Sequence, residues 1–166
     1  MKWPFRLFGR GDPPSPAPER RSETRRVLSH LTPEDVAEIG VLPNVAICGV
    51  DVDFTEANFQ PNPAFIAIMQ STIASAGPSD PALQAAARRQ REGYVYVIDL
   101  RTPDGSQGRV PPEDIIGGFK VENGAIVEGS YTPNKGHRVF TANGLVRLPP
   151  SLHQALIGRL KAEAKP

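Results

Sequence analysis

Asp51 and Asp53 are the residues whose type and spacing come nearest to a chemical site. They alternate along a strand predicted over residues 44–54, so both carboxylates project from one face. Two such carboxylates can hold a divalent cation or share a proton. An EF-hand is excluded, because Glu56 and Asn62 stand where that loop needs glycine and glutamate. The favoured alternative is that both acids solvate the outer face of an edge strand.

Asp99 adds a third carboxylate if its strand lies beside residues 44–54. Three acids at neighbouring strand ends would suit a metal-assisted hydrolase, with Asp51 and Asp53 as the metal ligands. The favoured alternative is that Asp99 ends its strand and pairs with Arg101 or with a backbone amide of a turn.

A basic loop at residues 133–138 is the second candidate site. Lys135, His137 and Arg138 lie in it, between two predicted hairpins, and together they suit an anion or a partner surface. His137 is also a candidate acid–base group, since an imidazole titrates near neutral pH. The alternative is an ordinary solvated loop, because connecting loops are polar whatever their function.

The sequence predicts no cofactor. It contains no G-x-G-x-x-G, P-loop or G-x-S-x-G motif, and its three histidines show no metal-ligand spacing. Cys48 is the only cysteine and has apolar neighbours, which predicts a small buried side chain rather than a nucleophile. No sheet face combines basic and aromatic residues, so no specific binding of nucleic acid is predicted.

Asp-Gly and Asn-Gly dipeptides indicate antiparallel hairpins. They occur at residues 104–105, 123–124 and 143–144. For residues 119–131 we predict a three-residue loop, because that register keeps Phe119 and Val127 together on a buried face. Residues 137–148 form a second predicted hairpin. Residues 94–101 carry apolar side chains on both faces, which predicts a central strand.

Four helices are predicted from their start and stop residues. Thr32, Asn62 and Asp80 each precede a proline, so each can cap a helix that begins with that proline. The predicted stop residues are Gly40, Gly77 and Gly93, and a fourth, amphipathic helix spans residues 151–164.

The order of these elements predicts an α+β fold. Strands run together rather than alternating with helices, which favours an antiparallel sheet, or a mixed one, over a doubly wound parallel sheet. We expect about five to six strands with three to four helices packed against them. The 166 residues fit one such domain at 29–166, preceded by a flexible, disordered basic tail at 1–28.

The N-terminal tail is the third candidate for function. Residues 1–30 carry seven Lys or Arg and three acids, although the net charge of the whole chain is only +1. Trp3, Phe5 and Phe8 alternate with basic residues there, which suits a weak peripheral contact of residues 1–10 with a membrane or a partner. The alternative is a tail with incidental aromatics. No segment resembles a membrane span or a secretion signal, so we expect a cytoplasmic protein.

These observations favour binding over catalysis. We expect a non-enzymatic, bacterial-type cytoplasmic protein, either an adaptor or an immunity-type protein, that presents a hairpin-rich face to a protein partner. The first alternative is a metal-assisted hydrolase at Asp51, Asp53 and Asp99 with His137 as acid or base. The second is peripheral membrane attachment through the three N-terminal aromatic residues.

Overall fold

The chain forms an α+β fold, as the sequence predicts. The computed structural model describes residues 25–52, 55–101 and 110–164. All strand pairs within them are antiparallel. The α-helices are α1 (Pro33–Ile39), α2 (Pro63–Ala76), α3 (Pro81–Gln90) and α4 (Pro150–Ala162). The strands are β1 (Arg25–Ser29), β2 (Ile47–Val52), β3 (Phe59–Pro61), β4 (Gly93–Ile98), β5 (Ile115–Glu122), β6 (Ala125–Ile126), β7 (Thr132–Pro133), β8 (Phe140–Thr141) and β9 (Gly144–Leu145).

The predicted tail lies almost wholly outside the described residues, and so does the turn predicted at residues 104–105. Residues 25–28, which were predicted to belong to the tail, form most of β1. β1 pairs with β2, with Arg25 opposite Val52. The folded domain therefore begins before residue 29.

Local capping residues set the starts of α1, α2 and α3, as predicted. Thr32 Oγ1 accepts from the Asp35 N–H at 3.1 Å, and the Asp35 carboxylate accepts from the Thr32 N–H at 2.9 Å. Asn62 and Asp80 likewise accept from first-turn N–H groups of α2 and α3. Each cap gives an acceptor to a helix N–H that has none inside the helix, which is why these short motifs are predictive.

The helix ends differ from the prediction at α3 and, by two residues, at α4, which ends at Ala162. α1 ends at Gly40, which is left-handed with φ 79°, and α2 ends at Gly77, both as predicted. α3 instead ends with Arg91 as its cap, and Gly93, the predicted cap, begins β4. The prediction for α3 was wrong because Arg91 and Gly93 both have positive φ, 67° and 104°, and only the glycine is recognisable from sequence.

The strands form three small antiparallel sheets. The first has the order β1–β2–β3, the second contains β4, β5, β6 and β7, and the third is the β8–β9 hairpin. Gly117 and Gly118 pair with both β4 and β7, so β7 lies on the edge of β5 opposite β4. β2 begins at Ile47 rather than at residue 44 as predicted, because Asn44–Ala46 forms a 3₁₀ turn.

β4 is an outer strand, whereas the sequence predicted a central one. Among the described strands it pairs only with β5. Val95 and Val97 are buried, but Tyr94 and Tyr96 are 50% and 55% exposed. The prediction was wrong because it counted tyrosine with the apolar residues, and a phenol ring with its hydroxyl also suits a wet sheet face.

The β5–β6 hairpin has a two-residue turn, which corrects the predicted three-residue loop. Val121 lies opposite Ile126, and Asn123 and Gly124 have φ of 51° and 75°, as a type I′ turn requires. The prediction was wrong because it assumed that the two strands of the hairpin stay paired over the whole of residues 119–131. β6 has only two residues, and the chain turns again at residues 128–129, so no long buried face constrains the register.

One hydrophobic core joins the helices to the strands. Its largest fully buried side chains include Phe65, Met69 and Ile73 of α2, Phe119 of β5, and Leu152, Leu156 and Leu160 of α4. Cys48 of β2 is also fully buried and free, as predicted. The core thus covers the inner side of β4 and β5 and leaves their outer side to solvent.

Gly77 allows a close contact between the end of α2 and β5. A Cβ at Gly77 would lie 2.3 Å from Phe119 Cζ. We predict that Gly77→Ala lowers the free energy of unfolding by about 1–3 kcal/mol, because the ring or the helix end must move. Gly158→Ala in α4, where a Cβ meets nothing within 4 Å, should raise it by about 0.5–1 kcal/mol. Urea unfolding measures the change in the free energy of unfolding for each variant. No change for Gly77→Ala would contradict the close contact.

Candidate functional site

A buried arginine lies just after β4, between two aspartates. The Arg101 side chain is 2% exposed, and its Nε lies 3.0 Å from Asp114 Oδ1 and 3.2 Å from Asp99 Oδ2. Both aspartates are buried as well. Buried charges are strongly destabilising when they lack partners, so these three groups compensate one another.

The remaining donors of Arg101 bind backbone carbonyls. Nη1 donates to Val139 O at 3.1 Å and to Gly144 O at 3.2 Å. Nη2 donates to Glu113 O at 3.3 Å and to Arg138 O. One guanidinium therefore connects the end of β4 to the turn before β5, to the loop before β8 and to the β8–β9 hairpin.

The Asp99 carboxylate is surrounded by donors. Its Oδ1 accepts from the Arg101 N–H at 3.1 Å and from the Arg147 N–H at 2.9 Å. Its Oδ2 faces Arg101 Nε and lies 3.0 Å from His137 Nε2, which donates when it carries the ring proton. These contacts support the interpretation of Asp99 as a structural residue that pairs with Arg101 and with backbone amides, rather than as a third carboxylate of a metal site.

The condition for a three-aspartate site is not met. β2, which carries Asp51, and β4, which leads to Asp99, belong to different sheets. The Asp51 side chain and the whole of Asp53 lie outside the described residues. The described part of the chain contains no group of three side chains suited to a metal ion. The metal role of Asp51 and Asp53 stays a prediction.

The basic loop does not present its three residues on one surface. The His137 side chain is 3% exposed and faces Asp99. Arg138 is 52% exposed and its Nη1 lies 2.6 Å from Glu56 Oε1, while Lys135 is exposed. The imidazole of His137 thus belongs to the buried Arg101 network. The role of Lys135, His137 and Arg138 in binding an anion or a partner stays a prediction.

Two further histidines, which the sequence did not single out, border a cavity of about 670 Å³. His30 and His153 meet edge to face with ring centroids 5.5 Å apart, and His30 stacks on Phe65. Burial, followed by the charge of His153, lowers the pKa of His30 to about 4, while Asp99 raises it. His30 Nε2 is buried and has no hydrogen-bond partner within the described chain. The His30 ring is thus neutral near pH 7 and packs against the core.

Cys48 is not a nucleophile in this environment. Burial raises the pKa of its thiol to about 12. The thiolate is the reactive form of cysteine, so a thiol that stays protonated near pH 7 is inert. The sequence-based interpretation of Cys48 as a small buried side chain agrees with this.

A groove of about 500 Å³ crosses the outer face of the sheet formed by β4, β5 and β7. We call it the tyrosine groove. It is lined by Tyr94, Tyr96, Pro112, Ile115, Gly117, Gly118, Thr132, Pro133 and Asn134. Tyr96 lies opposite Gly118, and a Cβ there would lie 3.0 Å from Tyr96 Cδ1. Glycine therefore lets the tyrosine ring lie against the sheet.

Comparison of the chain with protein-family models, with curated proteins and with solved structures found no match. Trp3, Phe5 and Phe8 lie outside the described residues, so their contact with a membrane or partner stays a prediction. No helix in the described part of the chain has the length and apolarity needed to cross a membrane.

Sequence reasoning missed the tyrosine groove and the role of Arg101. The groove did have a signal, because tyrosine and valine alternate over residues 94–97 as in a strand with one wet face and one buried face. The local sequence indicates the pair of Asp99 and Arg101 but not the carbonyl partners of Arg101, which lie between 12 and 43 residues away along the chain.

The loss of Arg101 should destabilise the fold strongly. We predict that Arg101→Met lowers the free energy of unfolding by about 3–5 kcal/mol, because the buried carboxylates of Asp99 and Asp114 both lose the guanidinium that they contact. Arg138→Ala is the matched control, since it removes only an exposed ion pair with Glu56 and should cost at most about 1 kcal/mol. Denaturant unfolding followed by circular dichroism compares the two. Equal effects would mean that the buried network is not the stabilising one.

His30 should make the fold less stable in mild acid. Its pKa is about 4 in the folded protein against 6.5 in the unfolded chain, so between these values only the unfolded state binds the proton. We predict that His30 alone lowers the free energy of unfolding by about 2 kcal/mol between about pH 7.5 and about pH 5. The measurement is the difference in pH dependence between wild type and His30→Phe. Identical pH profiles would contradict the lowered pKa.

Proposed function

We propose that this protein binds an extended, proline-containing segment of a protein partner in the tyrosine groove. The observation that carries the proposal is the pair Tyr94 and Tyr96, half exposed on one face of an outer strand. Tyrosine is enriched at interaction surfaces because its ring is apolar and its hydroxyl is polar. Contiguous exposed side chains of this kind mark such surfaces, whereas singly exposed ones are ordinary. Such binding is consistent with an adaptor or an immunity-type protein. The proposal assigns no catalytic activity to the chain.

The lining of the groove suits an uncharged partner segment. Its side chains are aromatic, aliphatic, small or amide, and none carries a charge. Aromatic-lined grooves bind polyproline II segments, which are already extended in solution and therefore lose little entropy on binding. The tyrosine hydroxyl groups can donate hydrogen bonds to the carbonyl groups of such a segment.

Hydrogen bonds of Asn134 hold one wall of the groove in place without a partner. Asn134 Nδ2 donates to Pro112 O at 2.8 Å and to Ile115 O at 2.7 Å, which fixes one wall to the end of β7. The Asn134 N–H donates to Ile116 O at 2.9 Å. A preformed site loses less entropy on binding, so this rigidity favours recognition.

The other candidate functions have less support from the described residues. Asp99 already accepts from the N–H groups of Arg101 and Arg147, and its Oδ2 lies 3.0 Å from His137 Nε2. These contacts leave its oxygens poorly placed to bind a metal ion. The tyrosine groove, in contrast, contains two half-exposed tyrosine rings whose hydroxyl groups form no hydrogen bond within the described part of the chain. The groove is therefore the feature that recognition explains best.

Selection of displayed proline-containing peptides against the full-length protein tests the proposal. We predict that the selected peptides bind at least about 20-fold more weakly to Tyr94→Ala and to Tyr96→Ala, since truncating an aromatic hot-spot residue costs about 2 kcal/mol or more. Val27→Ala is the control, because Val27 is 48% exposed on β1, outside the groove, and should leave the affinity unchanged. Isothermal titration calorimetry measures the affinities. Failure to select any peptide, or binding insensitive to both tyrosines, would contradict the proposal.

A further inference from the structure

Among the described strands β4 pairs only with β5, so its other edge carries no described strand. This edge fits a second copy of the chain. We propose that two copies pair antiparallel through β4, so that their two β4–β5 sheets become one continuous sheet. The pairing uses the backbone of β4 rather than the tyrosine groove, and so it goes beyond the proposed function and does not depend on it.

The hydrogen bonds at the end of β4 show which backbone groups point away from β5. The Asp99 N–H bonds to Asp114 O at 2.8 Å, on the side of β5. The next N–H, that of Leu100, bonds to Arg147 O at 2.9 Å on the opposite side. N–H directions alternate along a strand, so even-numbered residues of β4 point away from β5.

Three residues of β4 therefore have outward backbone groups: Tyr94, Tyr96 and Ile98. In the described part of the chain, the backbone N–H and C=O groups of these three residues form no hydrogen bond with the backbone of another segment. β5, the described strand that pairs with β4, lies on the opposite side of β4. A row of unpaired donors and acceptors on a strand edge is a template for another strand.

β4 lacks the protection that other outer strands of this protein carry. β1 contains Arg25 and Arg26, β3 ends in Pro61, and β7 ends in Pro133. Charged residues and prolines on edge strands oppose pairing with other chains. The sequence of β4, Gly-Tyr-Val-Tyr-Val-Ile, has neither and consists mainly of residues that favour strands.

The alternation of N–H directions also defines the register. Outward residues face one another in hydrogen-bonded pairs, and centring on Tyr96 uses the whole free stretch from Tyr94 to Ile98. Tyr96 then lies opposite Tyr96 of the second copy, and Tyr94 opposite Ile98. Roughly six inter-strand hydrogen bonds result, two for each pair. At one end of β4 the pairing stops at Gly93, where the chain comes from α3. At the other end it stops before Leu100, whose N–H already bonds to Arg147 O.

A two-fold axis perpendicular to the sheet relates the two copies in this arrangement. It keeps both outer faces on the same side, so the tyrosines of the two copies become neighbours. Aromatic pairs and aromatic–β-branched pairs across antiparallel strands stabilise a sheet. The side chains at the edge therefore support the same pairing as the backbone.

Charges placed at Tyr96 test the pairing in the full-length protein. Wild type should sediment as a dimer, whereas Tyr96→Glu and Tyr96→Lys each bring like charges together and should sediment as monomers. An equimolar mixture of these two variants brings opposite charges together and should restore the dimer. The same substitutions at Val27 on β1 are the control and should leave the dimer intact. A monomeric wild type, variants that stay dimeric alone, or a mixture that stays monomeric overturns the proposal.

Single cysteines test the register. Tyr96→Cys should cross-link on oxidation, because Cα atoms in hydrogen-bonded antiparallel pairs lie about 5.5 Å apart, within disulfide range. Tyr94→Cys should not, because its two copies would lie roughly 14 Å apart. Cys48 does not compete, since it is fully buried. Cross-linking at residue 94 instead of 96 overturns the register. A monomeric wild type that still binds selected peptides would refute only the dimer, so the two proposals fail separately.

Discussion

The guanidinium of Arg101 is the group on which the second half of the fold depends. The strands from β6 to β9 have only two residues each, so much of the backbone between them lacks ladder partners. A buried carbonyl without a donor costs as much free energy as a lost hydrogen bond. Arg101 donates to four carbonyls in this region. Two of them, Val139 O and Glu113 O, also accept from the N–H groups of Val146 and Arg138. Lysine cannot replace it, because only arginine has five donors in a planar fork.

Asp99 and Asp114 make this buried cation tolerable, and they also carry its effect to the sheet. Asp99 accepts from the backbone after β9 and faces His137, while its own N–H bonds to Asp114 O at the start of β5. The carboxylates thus neutralise Arg101 and hold the end of β4 against β5. The floor of the tyrosine groove is built on these two strands, so the network and the groove are parts of one arrangement.

The parts of the fold that sequence predicts are those whose partners are close along the chain. Thr32 and Asp35 cap α1 across three residues, and Arg101 was recognisable as a partner of Asp99 because it lies two residues away. His137 reaches Asp99 from 38 residues away, and no local pattern announces that. The β5–β6 register failed for a related reason, because it depends on where the chain leaves the sheet after Ile126.

The face and the edge of β4 are linked by strand geometry. In a strand, the residues whose side chains share one face also point their N–H groups to one side. Tyr94 and Tyr96 therefore place their rings in the tyrosine groove and their backbone groups on the free edge. A lysine that protects the edge against pairing would place a charge in the groove if it replaced Tyr94 or Tyr96. A lysine in place of Val95 or Val97 would place the charge in the hydrophobic core. An uncharged face on an outer strand thus leaves an unprotected edge. Pairing with a second strand, as in the proposed dimer, would cover this edge without placing a charge in the groove.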